Sequence, residues 1–272
     1  TGIDLTVTAG SIVGLLGENG SGKSTLMKIL FGMVQPDQGV VVFKGRELAL
    51  GSPREALQAG IAMIHQHFTL VNAMTVADNV MLALSGGGFW LDRKHTADRI
   101  TTLSGSYGLG LDPHAVVQDL PLGMRQRVEI VKALMREADL LVLDEPTSIL
   151  SPPEVEGLIG VMHRLKADGR SIIFITHKLG EVLSVCDEVV VLRDGQVAGQ
   201  TAVKGATREG LAQMMIGRSL AEPPRRAERA PGPERLTAKG LSSADAAGVM
   251  RLKQATFSLR GGEILALAGI DG

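Results

Sequence analysis

GENGSGKST, residues 17 to 25, fits the pattern G-x-x-x-x-G-K-[ST] with Gly17, Gly22, Lys23 and Ser24 in register. An apolar run, SIVGLLG at 11 to 17, leads into it, and an amphipathic run, GKSTLMKILFGM at 22 to 33, leaves it. A glycine-rich strand-to-helix turn can be purely structural, but lysine and hydroxyl in this order point to a chemistry. Glycines let the backbone wrap phosphate oxygens closely, free N–H groups and the helix N-terminus favour an anion, and Lys23 supplies a point charge. Ser24 is placed for Mg²⁺. Gly17, Glu18, Asn19, Gly20, Ser21, Gly22, Lys23, Ser24 and Thr25 are therefore the candidate phosphate-binding residues.

A metal site needs more than one hydroxyl. LLVLDEP, residues 140 to 146, reads as a buried strand ending in two carboxylates, which puts Asp144 at the C-terminal edge where doubly wound sheets bind ligands. Asp144 is the candidate Mg²⁺ ligand through water, and Glu145 can polarise an attacking water as general base. Gln66, in MIHQHF, and His177, in FITHKL, end two other strand-like runs. A parallel sheet would bring both to the same edge, although either can be an ordinary polar strand terminus. His65 and His67 have no further metal-ligand spacing around them and read as structural.

The runs SIVGLLG, VVVFKG, IAMIHQ, DLLVLDEP, SIIFITH and EVVVLRDG alternate with helical patterns such as PREALQAG and PPEVEGLIGVMHRLKADG. This is an α/β rhythm. DLLVLD and SIIFIT are apolar at nearly every position, as central parallel strands covered on both faces should be. Residues 75–135 read as a separate helical subdomain, and IDLTV at 3 to 7 alternates like a strand, with further residues expected upstream. AEPPRRAERAPGPER, residues 221 to 235, holds four prolines, four arginines and three glutamates, and reads as a solvated linker. Beyond it, EILALAGIDG at 263 to 272 repeats the pattern of SIVGLLGENG at 11 to 20. Aligning Gly10 with Gly262 brings Ile12 onto Ile264, Leu15 onto Leu267, Gly17 onto Gly269 and Gly20 onto Gly272. Two apolar strands ending in glycine can match by chance; the alternative is the opening of a second, tandem domain at 236–272.

Composition narrows the function classes. Lys and Arg total 28 against 29 Asp and Glu, so no global basic field argues for nucleic acid or an anionic membrane surface. Cys186 is the single cysteine, which excludes an internal disulfide and suggests a packed thiol in a reduced, cytosolic protein. The thirteen uncharged residues from Asn79 to Leu91 fall short of a membrane span and include three consecutive glycines. No signal-peptide pattern opens the chain.

Taken together, these residues resemble the nucleotide-binding subunits of ATP-binding-cassette (ABC) transporters: Walker A at 17–25, Q-loop at Gln66, signature near 120, Walker B at 140–145 and switch at His177. The resemblance covers Thr1 to about Leu220. HFTLVNAMTVADNVML, 67 to 82, and RQRVEIVKALMREADLLVLDEPTSILSPPEV, 125 to 155, are similar to the importer branch for simple sugars and nucleosides, whose ATPases carry two cassettes in one polypeptide. The resemblance implies a P-loop NTPase fold with a RecA-like parallel sheet core, an antiparallel β subdomain and a helical subdomain. It implies ATP and Mg²⁺, the metal near Ser24, Gln66 and Asp144, and catalysis by Glu145 with Gln66 and His177. Leu120, Pro121, Leu122, Gly123 and Met124 would be the signature that acts on ATP held by the other cassette. Implied partners are transmembrane permease subunits, touched near Phe68 to Leu84, an extracytoplasmic substrate-binding protein and the second cassette, with no nucleic acid. The site of action would be peripheral, at the cytoplasmic face of the membrane. Specificity would reside in the permease and binding protein, so pentose, hexose and nucleoside are not separated here.

Some positions depart from the family pattern. Its signature reads LSGGQ, whereas this chain has LPLGM at 120 to 124. Pro121 suits the first position of a helix, and Gly123 with the helix N-terminus can still face a phosphate, so the expectation is weakened contact rather than none. SILS, 148 to 151, ends in serine where many cassettes have aspartate, and the adenine-stacking aromatic that cassettes carry ahead of the first strand would lie upstream of Thr1. A soluble, non-transport ABC ATPase acting on ribosomes or DNA shares every nucleotide motif but tends to carry charged insertions or zinc sites, which this chain lacks. A non-hydrolysing clamp is opposed by Glu145.

Overall fold

The computed structural model describes residues 2–48, 51–66, 68–84, 92–217, 231–244 and 248–268, and its chain divides into two compact units, Thr1–Leu220 and Ala221–Gly272. In the first unit β1 (Ile12–Leu16) runs into α1 (Lys23–Leu30), and a small antiparallel hairpin, β2 (Val41–Phe43) with β3 (Arg46–Leu48), follows. Then α2 (Pro53–Ala59) leads to β4 (Ile61–Ile64). Three helices, α3 (Val76–Leu84), α4 (Arg93–Tyr107) and α5 (Leu122–Met135), precede β5 (Leu140–Asp144). The chain closes the unit with α6 (Pro152–Ala167), β6 (Ser171–Ile175), α7 (Leu179–Val185), β7 (Glu188–Arg193), β8 (Gln196–Ala202) and α8 (Arg208–Ile216).

The strands line up as β4-β5-β6-β1-β7-β8, parallel except for β8, which returns antiparallel along β7. Period-two alternation sorts their side chains into two cores. Ile12, Leu16, Leu141, Leu143, Ile172, Phe174, Val189 and Val191 meet the face covered by α3 to α8. Val13, Leu15, Leu140, Val142, Ile173, Ile175, Val190 and Leu192 meet Met27, Phe31 and Ala56 of the α1–α2 face. Both faces of the central strands are thus dry, which is why their sequences are apolar throughout; each fully buried large side chain contributes about 1.5–3 kcal/mol. Gly14 lies where α7 crosses β1: a Cβ there would sit 3.0 Å from Cys186 Sγ and from Val182 Cγ1. That close crossing buries Cys186, and burial, with Asp187 nearby, pushes its thiol up to about 12, an inert packed group.

The structure departs from the sequence pattern in three places. Ile3, Leu5 and Val7 do turn alternately into the α1–α2 core, but residues 3–7 belong to no strand. Alternation reports which side chains are buried; a strand also needs a hydrogen-bonded neighbour. In the second unit β9 (Glu234–Ala244) and β10 (Met250–Arg260) pair as a long antiparallel hairpin that begins inside the stretch read as linker. Residues 263–268, read as a repeat of β1, form no strand, with Ile264 73% and Leu267 76% exposed. They have no ladder partner among the described residues. His67, most of the linker, Gly269 and Gly272 lie outside the described residues.

Candidate functional site

The C-terminal ends of β4, β5, β6 and β1 form one edge of the sheet, and the candidate residues follow those strands directly. Gly22, at φ 100°, is the N-cap of α1, a conformation that glycine adopts without strain. Gly17 is buried against β7: a Cβ on it would lie 2.4 Å from the Leu192 carbonyl oxygen and 2.4 Å from Ser21 Oγ. Behind the turn, the Gly195 N–H donates to the Ser21 carbonyl at 3.2 Å, so the β7–β8 hairpin braces it. Lys23 is buried and its ammonium donates to the carbonyls of Gly17 at 2.8 Å and Glu18 at 2.9 Å. Burial lowers its pKa, while Glu145 and Asp144 oppose that shift.

Asn19 to Thr25, Gln66, Asp144 and Glu145 line one cavity of about 430 Å³. Burial, reinforced by the neighbouring Glu145 charge, raises the Asp144 carboxyl above the usual range, against the pull of His65, Lys23 and Lys28. Glu145 stands at φ 45°, left-handed backbone for a residue with a side chain, and its N–H donates to the Ile175 carbonyl at 3.0 Å. Its two carboxylate oxygens face different partners. Oε1 is 3.3 Å from His177 Nδ1, and Oε2 is 3.5 Å from Gln66 Nε2, the outer limit of a hydrogen bond. The structure therefore brings Gln66 and His177 to the Glu145 carboxylate, and Gln66 and Glu145 share the cavity with the glycine-rich turn.

Leu120 to Met124 do not line this cavity. Pro121 is the N-cap of α5, with ψ 156°, and the helix begins at Leu122, so the proline stands one position earlier than the sequence suggests. The Gly123 N–H, expected to face a phosphate, donates instead to Glu154 Oε1 at 3.0 Å. Glu154 also receives the Ser151 N–H at 2.9 Å and Ser151 Oγ at 2.7 Å, the capping box of α6. Those bonds, the Gly123 N–H and the Arg127 charge hold its carboxyl below the ordinary range. The S-x-x-E spacing at Ser151 could have announced the cap but not the bond to α5. Glu129 was also missed: buried on α5, it accepts from the Thr69 N–H at 2.7 Å and Thr69 Oγ at 3.0 Å and pairs with Lys132 at 2.8 Å. It pins the chain just after Gln66, and its only signal was a carboxylate inside the apolar run VEIVKAL.

Residues 1–148 match the family described as ABC transporter. The chain is 42% identical over 299 residues to the glucose import ATP-binding protein TsgD13 of Haloferax volcanii, covering 99% of this chain and 54% of that protein. It is 42% identical over 271 residues to the nucleoside import ATP-binding protein NupA of Lactococcus lactis subsp. cremoris, with 99% and 54% covered. Against the guanosine import ATP-binding protein NupO of Bacillus subtilis the identity is 41% over 271 residues, with 99% and 53% covered. The chain thus spans about half the length of the curated relatives it matches. Among solved structures, the ADP conformation of an ATP-binding cassette of an ABC transporter superposes with a TM-score of 0.69 at 25% identity, covering 79% of this chain and 91% of that one. The ATP-binding subunit of another ABC transporter gives 0.65 at 28% identity, with 79% and 91% covered.

Proposed function

The chain belongs to the ABC transporter family, and from that premise we propose that it binds and hydrolyses ATP to power import of a simple sugar or a nucleoside through partner membrane permeases. The observation that carries the hydrolytic reading is the meeting of Gln66 and His177 at the Glu145 carboxylate, with Gln66 and Glu145 lining the cavity of the glycine-rich turn. The turn from Gly17 to Thr25 holds the phosphates through backbone N–H groups and the N-terminus of α1, and Lys23 adds charge. Glu145 takes the proton of the attacking water, with His177 at the terminal phosphate and Gln66 reporting occupancy to the helical subdomain.

Ser24, Gln66 and Asp144 supply hard oxygen donors, the kind that suits Mg²⁺. No cluster of three acidic, histidine or cysteine side chains able to hold a metal occurs among the described residues, so an ion here would need its remaining ligands from phosphate and water. When bound, Mg²⁺ neutralises phosphate charge. Burial raises the Asp144 pKa, so proton and cation would compete for that carboxyl, and cation binding should strengthen as pH rises.

The import reading draws on the relatives' names, which speak for transport over ribosome- or DNA-directed work. On this reading residues 1–220 are a first cassette with helical subdomain 75–135, 221–235 a linker and 236–272 the opening of a second cassette. Phe68 to Leu84 meets the permease; Val71 and Met74 there are 39% and 38% exposed, and the Asn79 side chain fixes the segment by bonding the Val71 N–H and carbonyl. No helix among the described residues is long and apolar enough to cross a membrane. Attachment through the permease puts the protein at the cytoplasmic face, working with an extracytoplasmic substrate-binding protein.

The full-length protein, reconstituted in vesicles with its permease and binding protein, is expected to take up sugar or nucleoside only with ATP, and ligand-loaded binding protein is expected to stimulate ATP turnover. Turnover indifferent to every sugar and nucleoside offered would remove the import reading. The altered signature has its own test. Pro121→Ser offers a hydroxyl where LPLGM lacks one, and one such bond, at about 0.5–1.5 kcal/mol, should raise full-length ATPase roughly two- to tenfold. An unchanged rate would show that Leu120 to Met124 does not grip nucleotide.

A further inference from the structure

Behind the Glu145–His177 pair, Thr147, Thr176, Lys178 and Glu181 close a polar clip, and we infer that Glu181 is a positioning residue that fixes the spacing of the pair. The inference rests on the roles given to Glu145 and His177 under the proposed function. The two groups stand on loops leaving adjacent strands, with Asp144 of β5 in register with Ile175 of β6. After β5 the chain turns sharply at Glu145, whose carbonyl accepts the Ser148 N–H at 3.2 Å, and Thr147 is carried inward to 1% exposure. After β6, Thr176 is also 1% exposed, and its Oγ accepts the Lys178 N–H at 3.1 Å, closing a turn with His177 at its centre.

One carboxylate oxygen joins the two loops. Glu181 Oε2 accepts from Thr147 Oγ at 2.7 Å and from Thr176 Oγ at 3.3 Å. Glu181 Oε1 pairs with Lys178 Nζ at 3.2 Å, and the same ammonium donates to the Thr147 carbonyl at 2.8 Å. The clip thus reaches the residue two after Glu145 and both neighbours of His177. Two buried hydroxyls sharing one acceptor leave each loop little freedom to move without the other, because a hydroxyl stranded in this environment is costly. The pair they frame needs such support: the His177 side chain is 53% exposed, and Glu145 holds left-handed backbone. Glu181 itself sits in α7, which buried Val182 and Val185 anchor in the core beneath it.

The test uses the full-length protein and compares Glu181→Ala, Glu181→Gln, His177→Ala and the double variant Glu181→Ala with His177→Ala. Misplacement of reacting groups by an ångström costs on the order of 10²-fold, so Glu181→Ala should lower kcat roughly 10- to 100-fold, with KM for ATP changed less than about threefold. Glu181→Gln keeps an oxygen able to accept both hydroxyls and should return kcat to within about threefold of the unmodified protein. In the His177→Ala background the spacing no longer matters, so adding Glu181→Ala should cost less than about twofold more. A purely structural Glu181 would lower Tm while leaving kcat per folded molecule unchanged, or would multiply the His177→Ala loss; either result overturns the inference. Should Glu181→Ala fail to fold, Thr147→Val, which removes one hydroxyl at nearly constant volume, is read by the same criteria. Failure of the underlying reading looks different. Retained turnover in Glu145→Gln would remove the assigned roles, whereas lost turnover there with normal Glu181→Ala kinetics would remove this inference alone.

Discussion

Glu145→Gln should abolish ATP turnover by the full-length protein, with kcat falling about 10²- to 10⁴-fold, the range that a positioned general base contributes. The substitution keeps the shape of the side chain and removes its capacity to accept a proton. An amide oxygen can still stand opposite His177 Nδ1, which is 3.3 Å from the carboxylate in the native protein. The backbone at Glu145 is held by the Ile175 carbonyl and does not depend on the side-chain charge. Nucleotide affinity should be kept or tightened, since the change removes a negative charge from a cavity that must receive phosphate. That charge also helps hold the Asp144 carboxyl up, so its loss favours the ionised form that a cation needs. Steady-state hydrolysis and calorimetric ATP titration on the same preparation separate the two effects. A kcat within tenfold of the unmodified value would take the general-base role from Glu145.

Gly17→Ala should damage binding rather than the chemical step. The new Cβ would be 2.4 Å from the Leu192 carbonyl oxygen, and that atom cannot yield, because Leu192 is fully buried in β7 and paired with Val197 of β8. The phosphate turn must move instead, taking with it the Gly17 carbonyl that receives the Lys23 ammonium. Overpacking of this kind costs about 1–3 kcal/mol, which for a domain of this size lowers Tm by roughly 3–10 °C. ATP affinity should fall more than about tenfold, because backbone N–H groups that miss the phosphate oxygens still lose their water. Gly20→Ala is the control: nothing lies within 4 Å of a Cβ there, so only its φ of 84° opposes the change. Equal affinities for the two variants would place Gly17 outside the phosphate cradle.

The difference between these glycines shows how far sequence reading reaches. The pattern G-x-x-x-x-G-K-[ST] puts Gly17 and Gly20 in one turn, yet only the packed structure says that a side chain on the first would strike β7 and one on the second would meet nothing. The same limit explains the errors. Residues 3–7 carry a strand-like pattern, but hydrogen-bonded neighbours make a strand, and the sequence does not name neighbours. β9 and β10 went unread because most of their side chains are exposed, so no clear apolar stripe marks them.

What the chain's residues determined by themselves is local and periodic. Strands apolar on both faces require a sheet covered on both sides, and a glycine-rich turn between strand and helix, with lysine and serine in place, has the chemistry that suits an anion. Those properties depend on residues within a few positions of one another. The tertiary structure decided which distant groups meet: Gln66 and His177 at the Glu145 carboxylate, Glu154 on the Gly123 N–H, Glu129 on Thr69, and Glu181 on Thr147. Each joins a donor to an acceptor across a long stretch of chain or between separate loops. A donor needs an acceptor, but its local sequence does not say which one; only the packing of the helices onto the sheet makes that choice.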